Sequence, residues 1–408
     1  MERSLFSCPT PFTPPTTEED RLSFLRLIRS RRVGVATFYR LLAEHGSAAA
    51  ALEALPELAR AAGVTNYVAC PEGVALAEMK AARRLGAQML CHGQTAYPQD
   101  LAEIADAPPV LWAMGDASLL ARPMVALVGA RNASSLGTRM TRKLAEGLGA
   151  AGYVVVSGLA RGIDAAAHQA TLASGTVAVQ AGGVDIIYPM ENAALADEIA
   201  LQGLRLSEQP FGLEPQARHF PMRNRIISGL ARTVVVVEAA ARSGSLITAR
   251  NALDQGREVM AVPGHPLDAR ASGCNMLIRD GALLVRGVDD VLAALGPPAE
   301  PRRETATQFT AEASTERRPA PSGPGRVVSG PAPGAPVAGH PGPTARPKSE
   351  TQALHQSILD RLGPSPLAED QLIRDLALPA ARIAQELLLL EIDGAVARQP
   401  GGFLTRVV

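Results

Sequence analysis

Residues 220–230 read Phe220-Pro-Met-Arg-Asn-Arg-Ile-Ile-Ser-Gly-Leu230, and the run Thr233-Val-Val-Val-Val-Glu238 and the segment Ser243-Gly-Ser-Leu-Ile-Thr248 follow closely. An apolar run of strand length between two helix starts is one step of a βα alternation. Its unbroken valines predict a strand buried on both faces. A proline at a first helical position leaves the following amides open to an anion. Arg218, Arg223, Arg225 and Arg232 crowd this stretch, and Glu214 is the one acid within residues 209–237. The planar guanidinium fork matches phosphate. Ser243, Gly244 and Ser245 bring a second set of backbone amides to the same end of the sheet. The stretch outlines a polyanion site.

Outward from it the alternation continues. Apolar runs at 124–128, 153–157, 176–180, 204–208, 233–238, 258–262 and 283–285 are separated by helical patterns such as 137–151 and 164–173. This predicts an α/β fold with a Rossmann-like, doubly wound, mostly parallel sheet as central domain over 108–296, with its ligand at the carboxyl ends of the strands. Residues 18–105 predict a small all-α N-terminal domain, broken at Gly34, Gly46 and Pro56. Its segment Arg32-Val-Gly-Val-Ala-Thr-Phe-Tyr-Arg-Leu-Leu42 has two readings. It is either a helix-hairpin-helix in which Gly34 lets amides approach a phosphate, or a spacer in which Gly34 merely caps a helix. Residues 1–17 and 297–350 are rich in Pro, Thr, Ala and Gly and are expected to be a disordered N-terminus and a disordered linker. Three helical patterns and two short strands in 351–408 predict a winged helix. Its third helix carries Arg382 as sole cation against Glu386, Glu391 and Asp393. That charge favours a protein contact or self-regulation over reading a DNA groove.

The bulk numbers narrow the function. The chain has 408 residues, 40 basic and 40 acidic, so any nucleic-acid contact must come from a local patch. Cys8, Cys70, Cys91 and Cys274 are scattered without a C-x-x-C pair, which predicts no disulfide framework and no metal site. No signal peptide and no apolar run of roughly 20 residues is present, so a cytoplasmic protein without a membrane partner is expected.

Three turns carry the chemistry. The first, Val128-Gly-Ala-Arg131, matches neither a dinucleotide fingerprint nor a Walker loop, yet sets Gly129 and Arg131 at a strand's carboxyl end, where Arg131 reads as a phosphate ligand. In the second, Ser157 and Gly158 lead into a helix on which Asp164 and His168 share one face at i, i+4. They read as a structural pair at the pocket, an aspartate hydrogen-bonded to a histidine that pins loop to helix, or as an acid/base pair. The third is Ala181-Gly-Gly-Val-Asp185 with Tyr188-Pro189, where Gly182 allows close approach and Asp185 is expected to accept from loop amides. Arg223 and Arg225 stand about 200° apart around a helix. One is expected to grip the ligand while the other pairs with an acid such as Glu238, with Asn224 between them. Phe220 is either a base-stacking ring or a core staple ahead of a helix.

These blocks together resemble the DNA-processing protein A (DprA/Smf) family. Val128-Gly-Ala-Arg131, Ser157-Gly-x-Ala-x-Gly-Ile-Asp-x-x-Ala-His168, Gly183-x-Asp-x-x-Tyr-Pro189, Ser207-Glu208 and Phe220-Pro-x-Arg-Asn-Arg-Ile-Ile-Ser-Gly-Leu230 carry the resemblance, as do Val237-Glu-Ala239, Ser243–Ala249, Val262-Pro-Gly264 and Gly273-Cys-Asn275. The resemblance implies a recombination mediator without catalytic residues, cofactor or metal. It implies binding of single-stranded DNA, with duplex bound more weakly, protection of incoming DNA during natural transformation, and loading of a RecA-type recombinase. It also implies a homodimer through the Rossmann-like domain. Arg131 matches the family's glycine-loop arginine, and the segment ahead of Arg223-Asn-Arg225 its DNA pocket. Where relatives often carry lysines beside these motifs, this chain has Met190 and Ala217, with Arg218 adjacent.

A rival is a nucleotide-processing enzyme of the Rossmann-like phosphoribohydrolase type. Ala181-Gly-Gly183 lacks that class's Pro-Gly-Gly-x-Gly-Thr loop, while Glu238 and Asp164 keep a carboxylate near the strand ends. A pure scaffold working through the winged helix would leave the arginine cluster unexplained.

Overall fold

The computed structural model of the chain describes residues 14–296, 348–362, 367–376, 378, 380–399 and 403–406. Of the stretches expected to be disordered, 1–13 and 297–347 lie outside these residues. Thr16 and Thr17 do not continue the irregular stretch: Asp20 accepts from both their amides, and Thr17 returns its hydroxyl to the Asp20 amide as a capping box.

That box opens α1 (Glu18–Arg29), followed by α2 (Val35–His45), α3 (Ala48–Ala61) and α4 (Glu72–Arg84). Pro56 lies inside α3 without ending it, because Leu52, Leu55 and Ala59 are buried on either side. Then come β1 (Gln88–Cys91), α5 (Gln99–Ala102) and β2 (Val110–Gly115). The domain alternation runs β3 (Met124–Val128), α6 (Ser135–Ala150), β4 (Val154–Ser157), α7 (Ile163–Thr171), β5 (Thr176–Val179), α8 (Ala193–Gln202), β6 (Leu204–Ser207), α9 (His219–Leu230) and β7 (Thr233–Val236). It ends with α10 (Ser245–Asp254), β8 (Glu258–Ala261), α11 (Ser272–Arg279), β9 (Leu283–Leu284) and α12 (Val288–Leu295).

One nine-stranded sheet results, ordered β1-β2-β6-β5-β4-β3-β7-β8-β9. The strands from β6 to β9 are parallel to their neighbours, while β1 and β2 join antiparallel. Alternation explains its burial on both faces. Met124, Ala126 and Val128 of β3 pack with Ile226, Ile227 and Leu230 of α9, whereas Val125 and Leu127 pack with Leu144 and Leu148 of α6. The seven expected strands are β3 to β9. The antiparallel ribbon was not expected, and β1 falls within the residues read as the all-α domain. Its four residues follow α4 directly and carry no longer apolar run. Trp112 of β2 joins the helical module's core, and its indole donates to Glu78 at 2.8 Å, which pairs with Arg29 at 2.9 Å.

The C-terminal unit comprises α13 (Lys348–Arg361), β10 (Leu367–Ala368), α14 (Glu369–Leu376), α15 (Ala380–Asp393), β11 (Val396–Gln399) and β12 (Phe403–Arg406). The wing has three strands in the order β10-β12-β11. Ile358, Leu372, Ile383, Leu387 and Leu404 close its own small core. Among the described residues no helix is long and apolar enough to cross a membrane.

Candidate nucleic-acid interface

A doubly wound sheet presents ligand sites where strands give way to helices, so the βα turns decide the chemistry. Two of those turns are occupied by the chain's own side chains. After β3, the Glu238 carboxylate accepts from the Ser134 amide at 3.0 Å and its hydroxyl at 3.1 Å, and the Ser134 hydroxyl accepts from the Gly137 amide at 2.9 Å. Arg270 lies 3.4 Å from the same carboxylate. A carboxylate thus fills the start of α6, where the helix's positive end would otherwise draw a phosphate. After β4, Asp164 accepts from the amides of Gly158 at 3.2 Å and Ala160 at 3.3 Å, and His168 Nε2 accepts from Leu159 at 3.3 Å. These three consecutive amides have no capacity left for a ligand.

The expected Asp164–His168 pair is therefore corrected. The two side chains grip neighbouring amides of one turn instead of each other. His168 Nδ1 donates to Thr176 Oγ1 at 2.7 Å, an assignment that follows from Nε2 accepting. Leu159 takes the left-handed φ of 58°, uncommon for a residue with a β-carbon, and His168 and the Asn192 side chain hold it there. Burial, then the Arg223 charge, push His168 down to about 3, so its ring is neutral at physiological pH. Burial raises Asp164, while Arg223 and the loop amides pull it back.

Arg223 and Arg225 are corrected as well. The Arg223 guanidinium lies under the second turn and donates to the carbonyls of Gly158 and Val179, each at 2.5 Å. A β-carbon at Gly158 would stand 2.3 Å from it, so that glycine makes room for an arginine and not for a ligand. Burial lowers Arg223 to about 10, which leaves it charged. Arg225 pairs with Glu208 and, at 3.5 Å, with Asp106, not with Glu238. Asn224 donates to the Gly244 carbonyl at 3.5 Å, and the buried Ser157 hydroxyl donates to Leu127 at 2.6 Å. Gly129 and Gly182 are closed in by Ile163 and by Leu213 and Pro215. Asp185, as expected, accepts from a loop amide, that of Gly212.

What remains exposed at the strand ends is a cation over aromatic rings. The Arg131 guanidinium carbon lies 5.3 Å from the centroid of Phe220, and the Tyr188 ring centroid lies 5.6 Å from that of Phe220, tilted by 58°. Arg131 and Tyr188 are exposed and Phe220 is half-buried. Arg218 stands exposed at the start of α9 beside His219. Met190, 73% exposed, flanks Tyr188, and Met222, also exposed, flanks Phe220. Across α9, Ser243 and Ser245 share a hydroxyl contact of 2.7 Å, and Gly244 has open space on its β-carbon side. The structure thus sets Arg131 on Phe220, leaves Arg218 and Gly244 exposed, and buries Ser157, Gly158, Gly182, Arg223, Asn224, Arg225 and Ser245. Tyr188 was not among the sequence candidates; its Tyr-Pro turn was the signal, and its ring gains a partner only where α9 brings Phe220 to it. Exposed cations beside stackable rings recognise phosphates and unpaired bases together.

Residues 88–296 match the family described as DNA recombination-mediator protein A, residues 18–81 a DprA-like N-terminal HHH domain, and residues 342–402 a DprA winged helix domain. The chain belongs to the DNA recombination-mediator protein A family. It is similar to DNA processing protein DprA of Streptococcus pneumoniae, 50% identical over 199 residues, covering 48% of this chain and 70% of that one. It is also similar to protein Smf of Synechocystis, 37% identical over 321 residues, covering 77% and 79%. The crystal structure of the Streptococcus pneumoniae protein superposes with a TM-score of 0.56 at 38% identity, over 67% of this chain and 97% of that one.

Proposed function

We propose that the chain binds single-stranded DNA across the carboxyl-terminal edge of its sheet, with phosphates at Arg131 and Arg218 and a base stacked on Phe220 and Tyr188. The observation that carries this reading is the Arg131–Phe220–Tyr188 cluster, in which a cation stands 5.3 Å and a second ring 5.6 Å from the Phe220 centroid. Duplex binds more weakly, because its bases are stacked on each other and leave the rings unused. Family membership supports the wider role of a recombination mediator, which protects incoming strands in the cytoplasm during natural transformation. It supports in the same way the transfer of those strands to a RecA-type recombinase and work as a homodimer through the Rossmann-like domain. Binding, not bond cleavage, fits the site, since Asp164 and one Glu238 oxygen accept from backbone amides and the other Glu238 oxygen faces Arg270 at 3.4 Å.

The test is fluorescence anisotropy of labelled oligo-dT at two salt concentrations, with AMP and duplex as competitors. Strand binding that falls with salt at a slope of about −0.7 per phosphate neutralised, and that AMP leaves in place, supports the reading. Displacement by AMP would favour a nucleotide pocket and overturn it.

A further inference from the structure

The winged helix is seated on the N-terminal helical module through one buried anion. Arg40 of α2 donates to the Glu391 carboxylate of α15, and at 3.0 Å to the Ala384 carbonyl of the same helix. The Thr37 hydroxyl, in the first turn of α2, stands 3.4 Å from the same Glu391 oxygen. α15 lies against α3 as well, and Gly394, in the left-handed region, sits over the Arg32 guanidinium, to which a β-carbon there would come within 3.2 Å.

The start of α2 is shaped for an anion that the helix does not itself supply. Its N-cap is Gly34, without a side chain to cap the amides, and its first turn carries no acid. By contrast α1 fills its own start with Thr17 and Asp20. A guanidinium, a hydroxyl and the positive end of a helix are the donors that hold a phosphate on a nucleic-acid backbone. Here the hydroxyl of Thr37 and the guanidinium of Arg40 are taken by a carboxylate from α15. The space beside Gly34 is open, so a backbone can approach the hairpin. Release of the seat is also asymmetric. Glu391 keeps a second partner, Arg398 of its own wing at 3.0 Å, whereas Arg40 has no other carboxylate partner among the described residues. Undocking therefore strands no buried acid, and it frees a cation.

We infer that Glu391 stands in for a DNA phosphate at a second, backbone-reading site made by Thr37 and Arg40 on the first two turns of α2, so that docking of the winged helix and DNA binding at this site exclude one another. The site lies on α2, apart from the sheet edge, and holds no ring for a base. It takes phosphates whether the strand is paired or not, so duplex, which leaves the rings of the sheet edge unused, reports on it most directly.

The experiment uses the full chain, with a labelled DNA duplex followed by anisotropy and the amides of α2 and α15 followed by hydrogen exchange. E391Q removes the stand-in charge and is expected to raise duplex affinity about tenfold, to speed exchange in both helices, and to leave oligo-dT binding through Arg131 and Phe220 in place. R40Q undocks the winged helix without touching its interior; it should speed the same exchange but give no gain in duplex affinity. The swap R40E with E391R should restore the protection of α2 while leaving duplex binding low. The inference is overturned if E391Q changes neither duplex affinity nor α2 exchange, if R40Q gains affinity as E391Q does, or if saturating duplex leaves α2 and α15 as protected as before.

Discussion

Arg131 holds its guanidinium carbon 5.3 Å from the centroid of the Phe220 ring. The contact joins the turn after β3 to the start of α9 and leaves the arginine exposed, so the pair can serve a ligand without a change in the core. Removing the cation with R131A should weaken oligo-dT binding about tenfold and reduce the log–log salt slope by about 0.7. Removing the ring with F220A should cost about 1–3 kcal/mol with the slope unaltered. Anisotropy at two salt concentrations separates the two effects, and unchanged affinity in both variants would move the strand elsewhere.

Arg225 is expected to behave in the opposite way. It is buried between Glu208 and Asp106, so R225A leaves the nearly buried Glu208 carboxylate without its cation. The loss should be about 3–5 kcal/mol of stability, read as a lower urea midpoint, where R131A leaves the midpoint unmoved. G158A should cost about 1–3 kcal/mol by overpacking, since its new methyl would meet Arg223.

Glu238 occupies the anion site at the start of α6, and E238A should empty it. The loss of the bonds from Ser134 should cost about 1–2 kcal/mol. The vacancy should take a free anion, so millimolar inorganic phosphate should raise the melting temperature of E238A more than that of the parent. Equal shifts would mean that the helix start has no affinity for phosphate.

His168 makes stability depend on pH. Its folded pKa, about 3, lies below the unfolded value of roughly 6.5. The unfolded chain therefore takes up the proton first, and stability is full above roughly pH 6.5 and falls as the pH drops toward 3. By pH 5 the loss should be about 2 kcal/mol. Asp164, raised by burial, acts with the opposite sign at its own titration. Comparing urea midpoints at pH 7 and 5 for the parent and H168Q isolates the histidine; an equal fall in both would remove it as the cause.

Much of the fold was legible because it rests on local pattern. Unbroken runs such as Met124–Val128 are buried on both faces and can lie only inside a sheet covered by helices. The exposure of Arg131 was legible too, since a polar residue just past the end of such a strand stands where the core stops. β1 and β2 were not legible, because an antiparallel ribbon of four and six residues gains its stability from the sheet edge it joins. Nor was the Glu391 contact, although the acidity of α15 did point away from a DNA groove.

The sequence by itself determined the layer order and the strand ends at which a ligand would gather, because hydrophobic period and turn residues act over a few neighbours. Only the tertiary structure decided which arginines are free. Arg223 and Arg225 carry the same charge as Arg131, but the carbonyls of Gly158 and Val179 hold the one and the Glu208 carboxylate the other, at the ends of strands distant in the chain. It likewise decided that Glu238 and Asp164 serve backbone amides and that Tyr188 meets Phe220. Burial and pairing of a charge depend on groups distant in the chain, and a buried charge persists only where such partners meet it.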